Sequence, residues 1–204
     1  MKKTLIFILI MTLSLSLLCG CNIFPNEKNS IGKAANTVIT TYTALQENFV
    51  LRKKTDYNLY GIKLSVDSEN VGTYTYVYTN KRPDSIKYSD ILIVKINSLN
   101  GKIEKFSAPE FENYGTEPYE MIKTAMPLVM TSFNVDSDVA IKTASDHHFS
   151  NNFVYNFLEI VVVYENGAPV YKIKHISLVN ECIYYTVVDA MTGAVVSSSV
   201  EELE

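Results

Sequence analysis

The chain has 204 residues, 47% of them hydrophobic and 20% charged, with a formal net charge of −4. That length allows one ordinary domain or two small ones, and the acid excess argues against a nucleic-acid partner, which needs a clustered basic surface. The three cysteines are Cys19, Cys21 and Cys182; if the N-terminal segment is removed and Cys21 is modified, Cys182 has no partner and no disulfide framework is possible within the chain.

The first element is a targeting segment. Lys2 and Lys3 form a charged start, and an apolar run follows from Leu5 to Leu18. The run suits the hydrophobic stretch of a signal peptide and falls short of the about 20 apolar residues of a spanning helix. It closes Leu18-Cys19-Gly20-Cys21, small residues and then a cysteine, which resembles the lipobox of bacterial lipoproteins. The resemblance implies a signal peptide over residues 1–20, cleavage before Cys21, and lipid on the Cys21 sulfur with acyl chains such as palmitate. The other reading is an ordinary secretory signal in which Cys21 is incidental. Two acyl chains, at about 0.8 kcal/mol per buried methylene, suffice for stable anchoring. The expected location is therefore the extracytoplasmic face of the cell membrane. Loss of the first 20 residues removes Lys2 and Lys3 and no acid, leaving 16 basic against 22 acidic residues, a net −6. Adhesion through a polybasic patch is thus not expected. Residues 21–30 hold Pro25 and polar residues without apolar periodicity, and read as a tether.

The body begins with Ile31 to Lys53, where Ala35, Val38, Ile39, Tyr42, Leu45 and Phe49 recur at spacings of three and four, an amphipathic helix. Leu64 to Gly72, with Glu69-Asn70, then links two strand-like runs. In the run Thr73 to Thr79, Tyr74, Tyr76 and Tyr78 share one face and the threonines with Val77 share the other. Ile91 to Glu104 reads as a hairpin whose loop is fixed by Asn97 and Gly101. An Asn or Asp side chain accepts from amides ahead of it, and Gly takes the positive φ needed to re-enter a strand. Ser107 to Glu117, with Pro109 and Gly115, lacks periodicity and marks a boundary. Pro118 suits a first helical turn; Met121, Ile122, Ala125, Met126, Val129 and Met130 follow helical spacing, with Pro127 expected to kink or shorten the helix. Asp136 or Ser137 could cap a further helix from Asp138 to about His148. Glu165-Asn166-Gly167 makes another hairpin before the strand Val170 to Ser177. Ile183 to Val196 repeats the earlier pattern, with Asp189 and Gly193 in the places of Asn97 and Gly101.

The second half, through Tyr185-Thr186-Val187-Val188-Asp189-Ala190-Met191-Thr192-Gly193-Ala194-Val195-Val196, resembles the PepSY domain family. The first half resembles it more weakly, with Asn97 and Asn100-Gly101 in place of Asp and Thr-Gly. The resemblance implies an α+β fold of two PepSY-like modules, each a helix packed on a small antiparallel β-sheet. The modules would span residues 31–106 and 118–204, with 107–117 as linker. It also implies a role among envelope proteins, some of which are thought to inhibit or regulate peptidases.

No Gly-x-Ser-x-Gly elbow, His-Glu-x-x-His helix, phosphate-binding loop or Cys-x-x-Cys pair nominates an enzyme, and neither cofactor nor metal is expected. Asp146, His147 and His148 read as a polar helix end rather than a chelate, since adjacent helical histidines point about 100° apart. His175, alternating with Tyr171 and Ile173 along a strand, reads as structural. So does Cys182, as a small core residue. Tyr74, Tyr76 and Tyr78 are candidate contact residues, because tyrosine offers large apolar area with a hydroxyl; alternatively their rings cover the sheet beneath the helix. The expected function is that of a non-enzymatic envelope lipoprotein acting by protein–protein contact, on an extracytoplasmic peptidase or a wall protein. The alternative is a lipoprotein that binds a small molecule or peptide between the modules.

Overall fold

A computed structural model describes residues 30–31, 36–46, 56–81, 87, 90–107, 121–122, 126–148 and 155–203. Its elements are α1 (Val38–Gln46), β1 (Asn58–Val66), β2 (Gly72–Thr79), β3 (Ile91–Asn97), β4 (Ile103–Ser107), α2 (Ser137–His148), β5 (Phe157–Glu165), β6 (Ala168–Ser177), β7 (Cys182–Asp189) and β8 (Val195–Glu202). Cys21 lies outside the described residues.

The eight strands among the described residues form one antiparallel sheet in the order β4-β3-β2-β1-β5-β6-β7-β8. This overturns the expectation of two modules, each with a helix on its own small sheet. Each half does supply a four-strand meander, and the order runs outward the same way from the β1–β5 junction. At that junction, however, β1 pairs with β5 from Ile62↔Val162 to Val66↔Leu158. The physical reason is that two separate sheets would each leave an inner edge of unpaired N–H and C=O groups. Pairing satisfies both edges and fuses what would have been two small cores.

That fused core lies on one face of the sheet. Ile62, Tyr76 and Val94 from the first half join Ile160, Tyr171, Ile173 and Val188 from the second, beneath Val38 and Leu45 of α1 and Ala140 and Ala144 of α2. The two alanines are fully buried, which lets the α2 backbone approach the sheet closely. The other face carries a smaller cluster, in which Met121 and Ile122 cover Tyr60, Val77, Ile91 and Ile93.

The helices also depart from expectation. Ile31 is not helical: its N–H donates to Gly101 O (2.9 Å) while Ser30 bridges to Lys102, so the chain enters along the β4 edge. The first helix is described over Val38–Gln46, and the remainder of the 31–53 expectation falls largely outside the described residues. Met121 and Ile122 are helical, but residues 126–129 are not, and a single 3-10 turn follows at Met130–Ser132. A proline at 127 removes a helical donor and its ring disfavours helical backbone at Met126, so the apolar spacing there does not continue as a helix.

The loops joining β3 to β4 and β7 to β8 match atom for atom. Asn97 Oδ1 accepts from the N–H groups of Leu99 (2.9 Å) and Asn100 (3.2 Å), and Asp189 Oδ1 accepts from those of Met191 and Thr192 (2.8 Å each). Gly101 and Gly193 hold φ at +64° and +75°, and each donates its N–H to the carbonyl of residue 97 or 189 at 2.8 Å. The β5–β6 turn places Asn166 and Gly167 both at positive φ, the geometry of the tight hairpin that Asn-Gly favours.

Candidate functional site

The tyrosines singled out as contact residues are not on a surface. Tyr74, Tyr76 and Tyr78 are 2%, 0% and 3% exposed and lie within the main core. Their alternation does define one face, and it is the helix-covered one: their burial matches the alternative reading, in which the rings cover the sheet beneath the helix, and not the contact reading. The Tyr76 hydroxyl donates to Val38 O (3.0 Å) at the start of α1, and the Tyr171 hydroxyl donates to Val135 O (2.8 Å) just before α2. Burial pushes the Tyr76 phenol well above its ordinary pKa. Burial likewise raises Tyr74 to about 12, aided by the Asp136 charge. These phenols remain protonated donors at every physiological pH.

Above them the two helix starts interlock. Asp136 Oδ1 accepts from the N–H of Ser137 (2.6 Å) and from that of Ile39 (3.0 Å), and its Oδ2 accepts from the Thr37 hydroxyl. Ser137 Oγ accepts from Val38 N–H (3.0 Å). Asp136 and Ser137, the two residues that sequence nominated to cap the second helix, therefore both accept from amides at the start of the first. An N-cap satisfies otherwise orphaned amides at a positive helix end; here one carboxylate serves two such ends. No local sequence signal reports this, because residues 37 and 136 are brought together only by the sheet.

At the far end of α2, His147 Nε2 lies 2.9 Å from Ser198 Oγ and His148 Nε2 lies 2.8 Å from Thr186 Oγ1, tying the helix to β8 and β7. His148 also packs on Tyr184, and His175 on Tyr155, with centroids 5.2 and 5.0 Å apart. Asp146 pairs with Lys142 one turn back. Among the described residues, no group of three or more His, Cys, Asp or Glu is arranged to hold a metal ion. Cys182 is half-buried and carries no disulfide. No helix among the described residues is long and apolar enough to cross a membrane.

Two surface features could receive a partner. One is an open groove of about 560 Å³ at the hairpin end of β1 and β2, lined by Leu64, Tyr74, Ile141, Tyr155 and Leu158, with Asn36 and Ser98 as polar groups. The other is the outer face of β5, β6 and β7, turned away from the helices. Strand alternation and register put Val161, Val163, Ile176, Ile183, Tyr185 and Val187 there, all half-buried, with Lys172 and Lys174 among them. Met121 and Ile122 bury the corresponding face of the first half, and among the described residues their cluster extends to Val161 and Val163. The cations are already engaged: Lys63 pairs with Glu159 (2.9 Å), Lys172 with Glu165 (2.7 Å), and Lys174 sits 5.8 Å from the Tyr185 ring centroid. A solvated sheet face ordinarily alternates to polar side chains; here half-buried apolar side chains are interleaved with the charges of Glu159, Glu165, Lys172 and Lys174. Sequence reading missed it because it attended to the tyrosines of β2 rather than to the continuous apolar run Ile160 to Val163.

No family model matches the chain, and no curated protein matches it. Among solved structures, the chain is similar to a candidate lipoprotein of Clostridium difficile 630, at 18% identity and a TM-score of 0.49, over 78% of this chain and 92% of that one. It is similar also to the Bacillus megaterium YpeB C-terminal domain, at 13% identity and a TM-score of 0.27, over 81% of this chain and 63% of that one. At such identities and scores neither similarity assigns a function.

Proposed function

We propose that this chain is a lipid-anchored envelope protein that works by protein–protein contact rather than catalysis. Cys21 would carry the anchor, and the outer face of β5, β6 and β7 would carry the contact. The observation that supports the contact is the half-exposed apolar set around Tyr185 and Val187, which alternation would make polar on a face meant only for water. The PepSY resemblance supports an extracytoplasmic peptidase, inhibited or regulated, or a wall protein as the partner. Confinement to the membrane plane raises the effective concentration of partners anchored there, so modest intrinsic affinity suffices. The test is crosslinking on intact cells with wild type and with Tyr185→Ser/Val187→Ser. Loss of a captured envelope protein with an unchanged melting temperature supports the reading. Undiminished capture removes this face from it. Substrate turnover by the purified protein, abolished by one side-chain change, would overturn the non-enzymatic role.

A second reading is favoured by the groove at Leu64, Tyr74 and Tyr155, whose volume falls in the range of small-molecule sites. There the protein would hold a small molecule or an extended peptide. Native mass spectrometry of protein extracted from membranes, showing a co-purifying ligand lost in Ile141→Asp, would favour that reading.

A further inference from the structure

The two ends of the sheet are built differently. At one end β4 is only five residues long; Lys102 and Glu104 pair beside it, and Ser30 bridges to Lys102. These are the devices by which native sheets blunt an edge. At the other end β8 runs eight residues, almost all exposed, with β7 on one side and, among the described residues, no further strand on the other. It holds no proline and no lysine, and its first charge is Glu201. Its pairing with β7 is regular from Val187↔Ser197 to Cys182↔Glu202, the one irregularity lying at the start.

The β8 sequence is also self-complementary. Val196-Ser197-Ser198-Ser199-Val200 reads the same in both directions. Laid antiparallel against a second copy with Ser198 on the two-fold axis, Val196 falls opposite Val200 of that copy, and Ser197 opposite its Ser199. Each valine pair then shares one sheet face. Val196 and Val200 are 62% and 52% exposed, and the pairing covers both. Glu201 falls opposite Val195 of the second copy, so the two acidic ends stand about 20 Å apart along the strands, well beyond the screening length of about 8 Å. A parallel arrangement would set the acids side by side. The molecule already contains one antiparallel junction of this kind, where β1 of one half pairs with β5 of the other.

We propose that β8 is the pairing edge for a second copy of this chain, joining two eight-stranded sheets antiparallel about Ser198. This goes beyond the contact face proposed above and does not depend on it; the dimer would set two such faces side by side.

The experiment uses the full chain in the membranes of a bacterial expression host, in a Cys182→Ser background that removes the other thiol of the body. Ser198→Cys, treated with a short bis-maleimide, is expected to give a species of twice the protein's mass, at least tenfold more than Glu104→Cys at the opposite sheet end. Adding Val196→Lys and Val200→Lys sets like charges across the junction and should reduce that species at least tenfold without moving the melting temperature, since both positions are exposed. Equal yields from Ser198→Cys and Glu104→Cys would overturn the proposal. So would an adduct joining Ser198→Cys to a different protein, which would make β8 the edge for a foreign strand. The contrast between the two cysteine positions decides the matter even if the lysine variant loses stability.

Discussion

Gly193 holds φ at +75°, and a Cβ there would stand 3.2 Å from Val135 Cγ2. Gly193→Val should therefore cost about 1–2 kcal/mol from backbone strain, with crowding of Val135 added. Ala194→Val, one residue on and exposed, should cost far less. Chemical denaturation of the two variants checks this, and equal midpoints would refute the strain argument. Asp136 makes a second prediction at this scale. One N-cap is worth about 1 kcal/mol, and Asp136 accepts from amides at two helix starts, so Asp136→Ala should cost about 2 kcal/mol. A loss no larger than that of a single cap would mean α1 does not depend on it. His175 supplies a third. It is fully buried, and burial, with the nearby His148 charge, pulls its pKa down to about 4. The unfolded value is about 6.5, so between these pH values the unfolded chain binds more protons and stability rises with pH. The contribution is fully present above about pH 6.5 and is lost as pH falls toward 4, up to about 3 kcal/mol in all. Unfolding free energies measured from pH 7.5 to 4.5 should show this slope in wild type and a flatter one in His175→Leu; parallel slopes would exclude His175 as the source.

The β1–β5 junction decides the behaviour of the elements. Ile160 is fully buried there, opposite Leu64 and within the shared core. Ile160→Ala should cost about 2–5 kcal/mol. Amide exchange should then accelerate in β2 as much as in β6, because the two meanders share that core. Protection retained in β1 and β2 alone would mean that the halves are stabilised separately. This junction also marks where sequence reading stopped. The hairpins were legible because their chemistry is local: Asn97 with Gly101, Asp189 with Gly193, and Asn166-Gly167 each encode a turn within a few residues. The pairing of β1 with β5 joins positions about a hundred residues apart, and no turn residue records it. One trace was available in Ile160-Val161-Val162-Val163, a continuous apolar run of the sort found in strands covered on both faces. Alternation at Tyr74, Tyr76 and Tyr78 likewise showed that one face differs from the other, but left open whether that face meets a partner or lies beneath a helix. Asp136 was readable as a cap, while its service to α1 depends on a contact that only the finished sheet creates.

For the whole molecule the consequence is cooperativity. Two modules on a linker would unfold in two steps, each with the stability of a small domain. Small domains bury proportionally less surface than larger ones and are correspondingly marginal. Here the principal core runs without interruption from Val94 in β3 through Ile62 and Ile160 to Val188 in β7, and both helices rest on it. Splitting the chain between β4 and α2 would strip β1 and β5 of their pairing on one side and expose Leu64, Ile160 and Leu158 together. Residues 22–204 should therefore unfold in a single calorimetric transition whose van't Hoff and calorimetric enthalpies agree. A fragment of residues 22–107 should show no cooperative transition of its own, yet gain one on mixing with residues 108–204. Two resolved transitions in the body, or a cooperative transition in the isolated first fragment, would show that each meander carries enough core to stand alone. The shared sheet would then be a docking of two folded units rather than the condition of their folding.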